Sequence, residues 1–322
     1  GPKELAWIIP VPKKPDSVEQ GEQDVFRSLE ALTSPRFTRK IVTRRGFACS
    51  SKAGTETVGQ LSVCETGRAG IFDYTVLHAG GVSKLAEWLE QHRYRLPANS
   101  TEVLKHYVDA GWYWLAIQVR AEAQDQATLA PPPIRYTYRD KEVVYPLLIS
   151  RLSAGRENEV LLYVLAQQRY GSKNWDNQIV PSTRLALDRR SSSGTNYEKL
   201  FEQLTTKKDG HVFLTEAAYR IQYNPGAHLS PEMLDLERPQ PLPGNKCAYL
   251  TRLRTIVPPE AMDRDVMLMP STEWGSDVSN HHLFDSSVKA SRGAQSTVAF
   301  AILGVLSLVL LRRRIAARNA AS

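Results

Sequence analysis

Fifteen consecutive residues close to the C-terminal end, Thr297 to Leu311 (TVAFAILGVLSLVLL), carry no charge, and Arg312-Arg313-Arg314 follow at once, with Arg318 beyond. At roughly 1.5 Å per residue, a helix from Ala294 to Leu311 spans about 27 Å, close to the thickness of a hydrocarbon core. Arginines at its lower end can snorkel to the headgroups and cover the shortfall. A buried core helix has no use for three arginines at its terminus. The segment 294–311 is therefore expected to be a single transmembrane helix, and Arg312, Arg313 and Arg314 its membrane stop. The Lys/Arg bias places the tail 312–322 in the cytoplasm and everything before Ala294 outside it. Such export requires a signal peptide. The chain opens Gly1-Pro2-Lys3 and runs directly into an apolar strand, so a preceding leader is expected. The competing topology, a tail-anchored protein with its body in the cytosol, has to carry the arginines across the membrane.

Charge limits the partners. The chain has 41 basic and 34 acidic residues, and four of the basic ones lie beyond Leu311. What precedes the tail is nearly balanced, unlike the strongly basic surface that nucleic-acid binding needs. The three cysteines are sparse. Cys49 and Cys64 flank a Gly- and Thr-containing stretch and form a candidate disulfide in an exported domain. A closed loop of about 15 residues contributes about 3 kcal/mol in the chain-entropy model; the alternative is two buried thiols. Cys247 has no evident partner, and no Cys/His ladder suggests zinc.

Residue periodicity predicts many short strands and few helices. Val25, Phe26, Leu29 and Leu32 recur at helical spacing before Ser34-Pro35. A second helix runs from about Ser83 to His92. A third, capped by Asn99 with Glu102 in the capping-box position, ends at Gly111. Trp112 to Arg120 alternates. Tyr113, Leu115, Ile117 and Val119 form the core face. Trp112 and Trp114 lie on the other face, which is either covered by a further layer or forms a contact surface. Strands are also expected over 37–43, 58–64, 71–77, 134–138, 143–150, 160–167, 212–223 and 249–257, and a short helix over 197–204. Residues 171–195 read as irregular and 225–244 as a proline-rich loop. The scarcity of βαβ alternation argues for an α+β fold of mostly antiparallel sheets with a few short helices, plus the C-terminal transmembrane helix. The organisation expected is one globular domain over 1–268, a polar stalk over 269–293, the membrane helix over 294–311 and the basic tail.

Chemistry is harder to find. His281-His282 lies in a polar segment, and adjacent histidines on an extended chain point opposite ways, so a solvated linker is the simpler reading. His78 stands at a strand end before Gly80-Gly81, where turn capping is the common role. Glu216 sits inside an apolar strand (FLTEAAY); the simpler reading is a solvent-facing side chain or a partner for Arg220, and the alternative a buried acid with a perturbed pKa. No G-x-S-x-G, H-E-x-x-H or phosphate-binding loop occurs. No catalytic, cofactor-binding or metal-binding residue is assigned, and no cofactor is expected.

Several stretches, in order, resemble an uncharacterised bacterial family, domain of unknown function 2330. Ala6-Trp7-Ile8-Ile9-Pro10-Val11-Pro12 is similar to its A-W-hydrophobic-hydrophobic-P-V-P signature. Gly70 to Leu77 resembles its strand before the first helix. Trp88-Leu89 through Tyr94-Arg95-Leu96-Pro97 resembles its W-L…Y-x-L-P segment, and Tyr107-Val108-Asp109-Ala110-Gly111-Trp112 its Y-V-x-x-G-W turn. Val144-Tyr145-Pro146-Leu147 and Tyr249-Leu250-Thr251-Arg252-Leu253 fit less specifically. The resemblance covers most of residues 5–265. It implies an exported protein, often ending in one hydrophobic helix with a basic tail, and further strand-forming sequence before the A-W-x-x-P-V-P stretch. It implies no reaction.

The function expected is thus a membrane-anchored extracytoplasmic binding or interaction module in a bacterial cell membrane. Its partners are the bilayer, through the C-terminal helix, and an envelope protein or ligand. The alternatives are an envelope hydrolase with an unrecognised site, or a cytosolic tail-anchored adaptor.

Overall fold

A strand that is apolar on both faces, Tyr113–Val119, organises the first half of the chain. The structure, a computed structural model, describes residues 6–39, 65–94, 96–97, 100–120, 131–206, 208–222, 247–271, 277–284 and 307–310. In chain order its elements are β1 (Ala6–Val11), β2 (Ser17–Gln20), α1 (Gln23–Thr33), β3 (Arg36–Arg39), β4 (Glu65–Ala69), β5 (Phe72–His78), α2 (Val82–Gln91), α3 (Ser100–Asp109), β6 (Tyr113–Val119), β7 (Ile134–Thr137) and β8 (Val143–Tyr145). There follow β9 (Asn158–Ala166), β10 (Tyr170–Ser172), β11 (Asp176–Gln178), α4 (Tyr197–Thr205), β12 (Val212–Gln222), β13 (Cys247–Val257), β14 (Val266–Pro270), β15 (His281–Phe284) and β16 (Ser307–Leu310). The fold class is α+β with mostly antiparallel sheets. Contacts divide the chain into two compact units, the described residues of Gly1–Gly21, Ala53–Leu152 and Leu310–Ser322 in one and those of Glu22–Lys52 and Ser153–Val309 in the other.

In the first unit β6 lies between β1 and β5 in an antiparallel sheet of order β1-β6-β5-β4. Both faces of β6 are covered. Tyr113, Leu115, Ile117 and Val119 pack with Val11, Val18, Phe72, Tyr74 and Val76, under the antiparallel β2–β7 ribbon. Trp114 and Ala116 face α2 and α3, where they meet Leu85, Leu89, Val103, Leu104 and Tyr107. The α3 helix ends as its sequence predicts. Gly111 takes a φ of 70°, its N–H donates to the Val108 carbonyl, and the Trp112 N–H donates to Tyr107, which together make a Schellman motif. Asn99, the expected cap, lies outside the described residues.

The second unit is built on β12, β13 and β9, which pair antiparallel in a sheet of order β11-β12-β13-β9-β16, with β11 parallel to β12. One sheet face carries two helices. Toward one end, Val25 and Leu29 of α1 pack on Tyr163, Ile221 and Leu250. Toward the other, Leu200, Phe201 and Leu204 of α4 pack with Leu214 and Ile256. A parallel two-stranded ribbon of β3 and β15 adds Phe37 and Phe284 to that second cluster. Separately, β10 and β14 pair antiparallel.

Three expectations are corrected. The strand expected over 143–150 stops at Tyr145, because Pro146 has no N–H to continue a ladder; a 3-10 turn takes Leu148–Leu152. Residues 171–195 are not wholly irregular. They hold β11 and the end of β10, too short for any periodicity to show, and Asn177 ties the two by bonding both the N–H and the carbonyl of Ser172 at 2.8 Å. Part of the expected stalk is packed structure: Val278 exchanges backbone hydrogen bonds with Ala218, and the Asn280 amide donates to the carbonyls of Leu32 and Ser34. Val278, Asn280, His282 and Phe284 are all buried, a period-two pattern hidden by its polar members.

The segment expected to cross the membrane lies mostly outside the described residues. Its described part, Ser307–Leu310, is not helical; it is strand β16, beside β9. An apolar run can satisfy its backbone internally as a helix in lipid or on an open strand edge in water, and here the edge of β9 takes it. Among the described residues no helix is long and apolar enough to cross a membrane. Arg312, Arg313 and Arg314 lie outside them.

Leu115 is fully buried at the centre of the first unit's sheet. Leu115→Ala is expected to lower unfolding free energy by about 2–5 kcal/mol, read as a shifted urea midpoint with an unchanged slope.

Candidate functional site

Charges seldom appear inside an apolar strand face, and β13 carries two. Leu250, Arg252, Arg254 and Ile256 alternate onto the sheet face that holds α1 and α4. Leu250 meets the α1 cluster and Ile256 the α4 cluster, so the two guanidinium groups fall between the helices. Their side chains are only 5% and 15% exposed.

Opposite them, β12 carries a bulge: the register runs Thr215↔Leu253 and then Ala217↔Arg252, leaving Glu216 as the extra residue. The fully buried Glu216 carboxylate lies between both arginines. Its Oε2 accepts from Arg252 Nε at 2.7 Å. Its Oε1 accepts from the Tyr197 hydroxyl at 2.7 Å and from Arg254 Nη1 at 3.3 Å.

Each arginine then reaches outward to one helix. Arg252 Nη1 donates to Glu30 Oε2 at 2.8 Å, and to the hydroxyls of Tyr163 and Thr33 at 3.1 and 3.2 Å. Arg254 Nε donates to Glu159 at 2.6 Å, its Nη1 reaches Glu198 at the start of α4 at 3.2 Å, and its guanidinium lies 4.0 Å over the Phe201 ring. The Tyr163 hydroxyl donates to Glu30 at 2.9 Å, and Ser34 closes the same carboxylate from the end of α1.

The electrostatics follow from this wiring. Burial pushes Glu30 up, but Ser34, Arg252 and Tyr163 together outweigh it and hold the carboxyl below its ordinary range. Burial raises Glu198, against the opposing pull of Arg254, with the charges of Glu216 and Glu159 adding to the rise. Tyr197 is raised by burial and by the Glu216 charge beneath it. Burial works against the charge on Arg254, yet Glu216, Glu159 and Glu198 raise its pKa on balance. Beside the cluster, the buried His282 stacks on Phe37 at 5.5 Å and meets Tyr197 at 5.5 Å. Its Nε2 is buried and makes no hydrogen bond among the described residues. Burial lowers its pKa; the Glu216 charge opposes this and His281 adds to it.

The fully buried Glu216 carboxylate accepts from two guanidiniums and a phenol and is closed off from solvent. The arrangement locks elements together. Among the described residues no group of three or more His, Cys, Asp or Glu is placed to hold a metal ion.

Other residues singled out in the sequence stand apart from this cluster. Glu216 is the buried acid, but its partners are Arg252 and Arg254, while Arg220 lies over the Tyr249 ring at 5.8 Å. His78 does not cap the Gly80-Gly81 turn; its Nε2 pairs with the Gly111 carbonyl at 3.1 Å and its ring lies against Tyr113. Trp114 is fully buried and Trp112 partly so, packed with α2 and α3 around Tyr107, so Trp114 offers no contact surface. The reason is the helix layer that covers the second face of β6. Cys49 and Cys64 lie outside the described residues. Cys247 opens β13 opposite Gln222 in the backbone register. Glu30, Glu159, Glu198, Tyr163, Tyr197 and both arginines escaped the sequence reading. The available signal was a pair of arginines two apart in an otherwise apolar strand (YLTRLRTIV), placing two charges on one buried face.

An α+β domain with mostly antiparallel sheets and a buried ion network is the class these features define. The family model described as uncharacterized protein conserved in bacteria, domain of unknown function 2330, matches residues 1–268, and the chain belongs to that family. No curated protein and no solved structure matches it.

The depressed Glu30 pKa sets an acid limit. A carboxyl lowered on folding contributes stability that is complete above its unfolded value, near 4.5, and is lost as pH falls through the lower folded value. Glu30→Gln is therefore expected to flatten the stability–pH profile below about pH 4.5, measured by urea denaturation from pH 3 to 7. An unchanged profile would remove Glu30 from the account.

Proposed function

We propose that the protein is a membrane-tethered recognition module whose folded part lies outside the cytoplasm. The observation that carries this reading is the uncharged run Thr297–Leu311 closed by Arg312-Arg313-Arg314, with its sign bias toward a cytoplasmic tail. The saturated Glu216 cluster supports a binding role over a catalytic one, because its ionisable groups are spent on holding the fold. The partner is an envelope protein or ligand. The reading requires Ser307–Leu310 to leave the edge of β9 for a helix in lipid, where each backbone group finds its partner within the segment.

Membrane fractionation combined with protease treatment of intact cells tests it. The full chain is expected in the alkaline-carbonate-resistant membrane pellet, with the folded part digested from outside. Removal of residues 297–322 is expected to release it from the pellet. A full chain that washes off in carbonate, or is protected until lysis, contradicts the reading.

A further inference from the structure

The buried His282 has no use in the cluster it adjoins. It sits on β15, whose only strand partner among the described residues is β3, over four residues. An isolated two-stranded ribbon of that length has no independent stability, so it is held by what it packs against. Phe37 and Phe284 in the α4 cluster and the His282 ring against Phe37 and Tyr197 hold the ribbon itself, while Asn280 and Val278, just before β15, are tied to Leu32, Ser34 and Ala218 by hydrogen bonds.

We propose that β15 is an acid-released latch: protonation of His282 frees the β3–β15 ribbon from the sheet face that it covers. The neutral ring fits its place as an aromatic plate. The charged ring brings a full positive charge and a second N–H donor into a site where Nε2 has no acceptor. Glu216, on β12, is the one anion that attracts it, and the oxygens of Glu216 are already held by Tyr197, Arg252 and Arg254. The remaining charged or titratable groups on the surrounding elements are Tyr197 and Glu198 on α4, Arg254 on β13, Arg36 and Arg39 on β3, Arg184 on the 3-10 turn Ser182–Arg184, and His281 beside it. Glu198 is engaged with Arg254, and His281 disfavours a second cation beside it.

Direction follows from linkage. A detached His282 titrates at its ordinary 6.5, and the docked ring titrates below that because burial disfavours its charge. The docked state therefore binds fewer protons. Docking is complete above about pH 6.5 and weakens by up to about tenfold per pH unit below it, until the docked ring itself titrates.

Hydrogen exchange on the full chain at pH 7.5 and pH 5.5, corrected for intrinsic rates, tests the latch. Amide protection over Arg36–Arg39 and His281–Phe284 is expected to fall by up to about tenfold at pH 5.5 relative to β12 and β13. In His282→Phe, which keeps an aromatic plate and cannot titrate, the two strands are expected to keep their protection. If that variant does not fold, His282→Gln serves, with lower protection that is the same at both pH values. Equal protection at both pH values in the parent chain overturns the proposal. So does an equal loss in the variant, or a loss shared by β12 and β13.

Discussion

A single buried carboxylate, Glu216, fixes how the second unit is put together. Its desolvation costs several kcal/mol, and that cost is met only if its partners stay in place. Those partners come from different elements: Arg252 and Arg254 from β13, and the Tyr197 hydroxyl from α4. The arginines in turn hold Glu30 on α1, Glu159 on β9 and Glu198 on α4. Moving any one element breaks a charge-assisted bond in a dry place. A fully apolar face would bury as much surface and specify less. Hydrophobic contacts tolerate a helix sliding along a sheet, and a bidentate ion network does not.

The bulge in β12 makes this possible. In a regular ladder Glu216, Ala218 and Arg220 would all follow Leu214 onto one face, and Tyr219 and Ile221 would turn away from α1. One extra residue at Thr215/Ala217 leaves Glu216 on the arginine face and shifts the parity beyond it, so that Tyr219 and Ile221 share that face as well. The two helices then share one face without touching the same residues, α1 on Tyr163, Ile221 and Leu250, and α4 on Leu214 and Ile256. The first unit is specified by different means. Its centre, β6, is apolar on both faces and is covered by strands on one side and helices on the other.

How far the sequence discloses this depends on the range of the signal. Local signals were legible: the helical spacing of Val25, Phe26, Leu29 and Leu32, the alternation of β6, and Gly111 ending α3, whose φ of 70° is the left-handed value that glycine adopts at little cost. Signals carried by sequence separation were not. Glu30 and Arg252 are 222 residues apart, and nothing near either one announces the other. Glu216 reads more simply as solvent-facing or paired with Arg220, four residues along the same strand, because the bulge that puts Arg220 on the other face leaves no mark in the sequence. Polar residues also hid structure. Asn280 and His282 alternate with exposed neighbours as core residues do, yet by composition the segment reads as a solvated tether.

A double-mutant cycle on Glu216 and Arg252 tests this account most directly, with Glu216→Leu, Arg252→Met and the pair compared by urea denaturation at pH 7. Each single change takes from a buried charge its shortest ion pair, at 2.7 Å, and is expected to cost about 3–5 kcal/mol. The pair is expected to cost less than the sum of the two by at least about 1 kcal/mol, since the second change removes the charge stranded by the first. Additive effects, or single substitutions within about 0.5 kcal/mol of the parent, would show that the network does not hold the unit together.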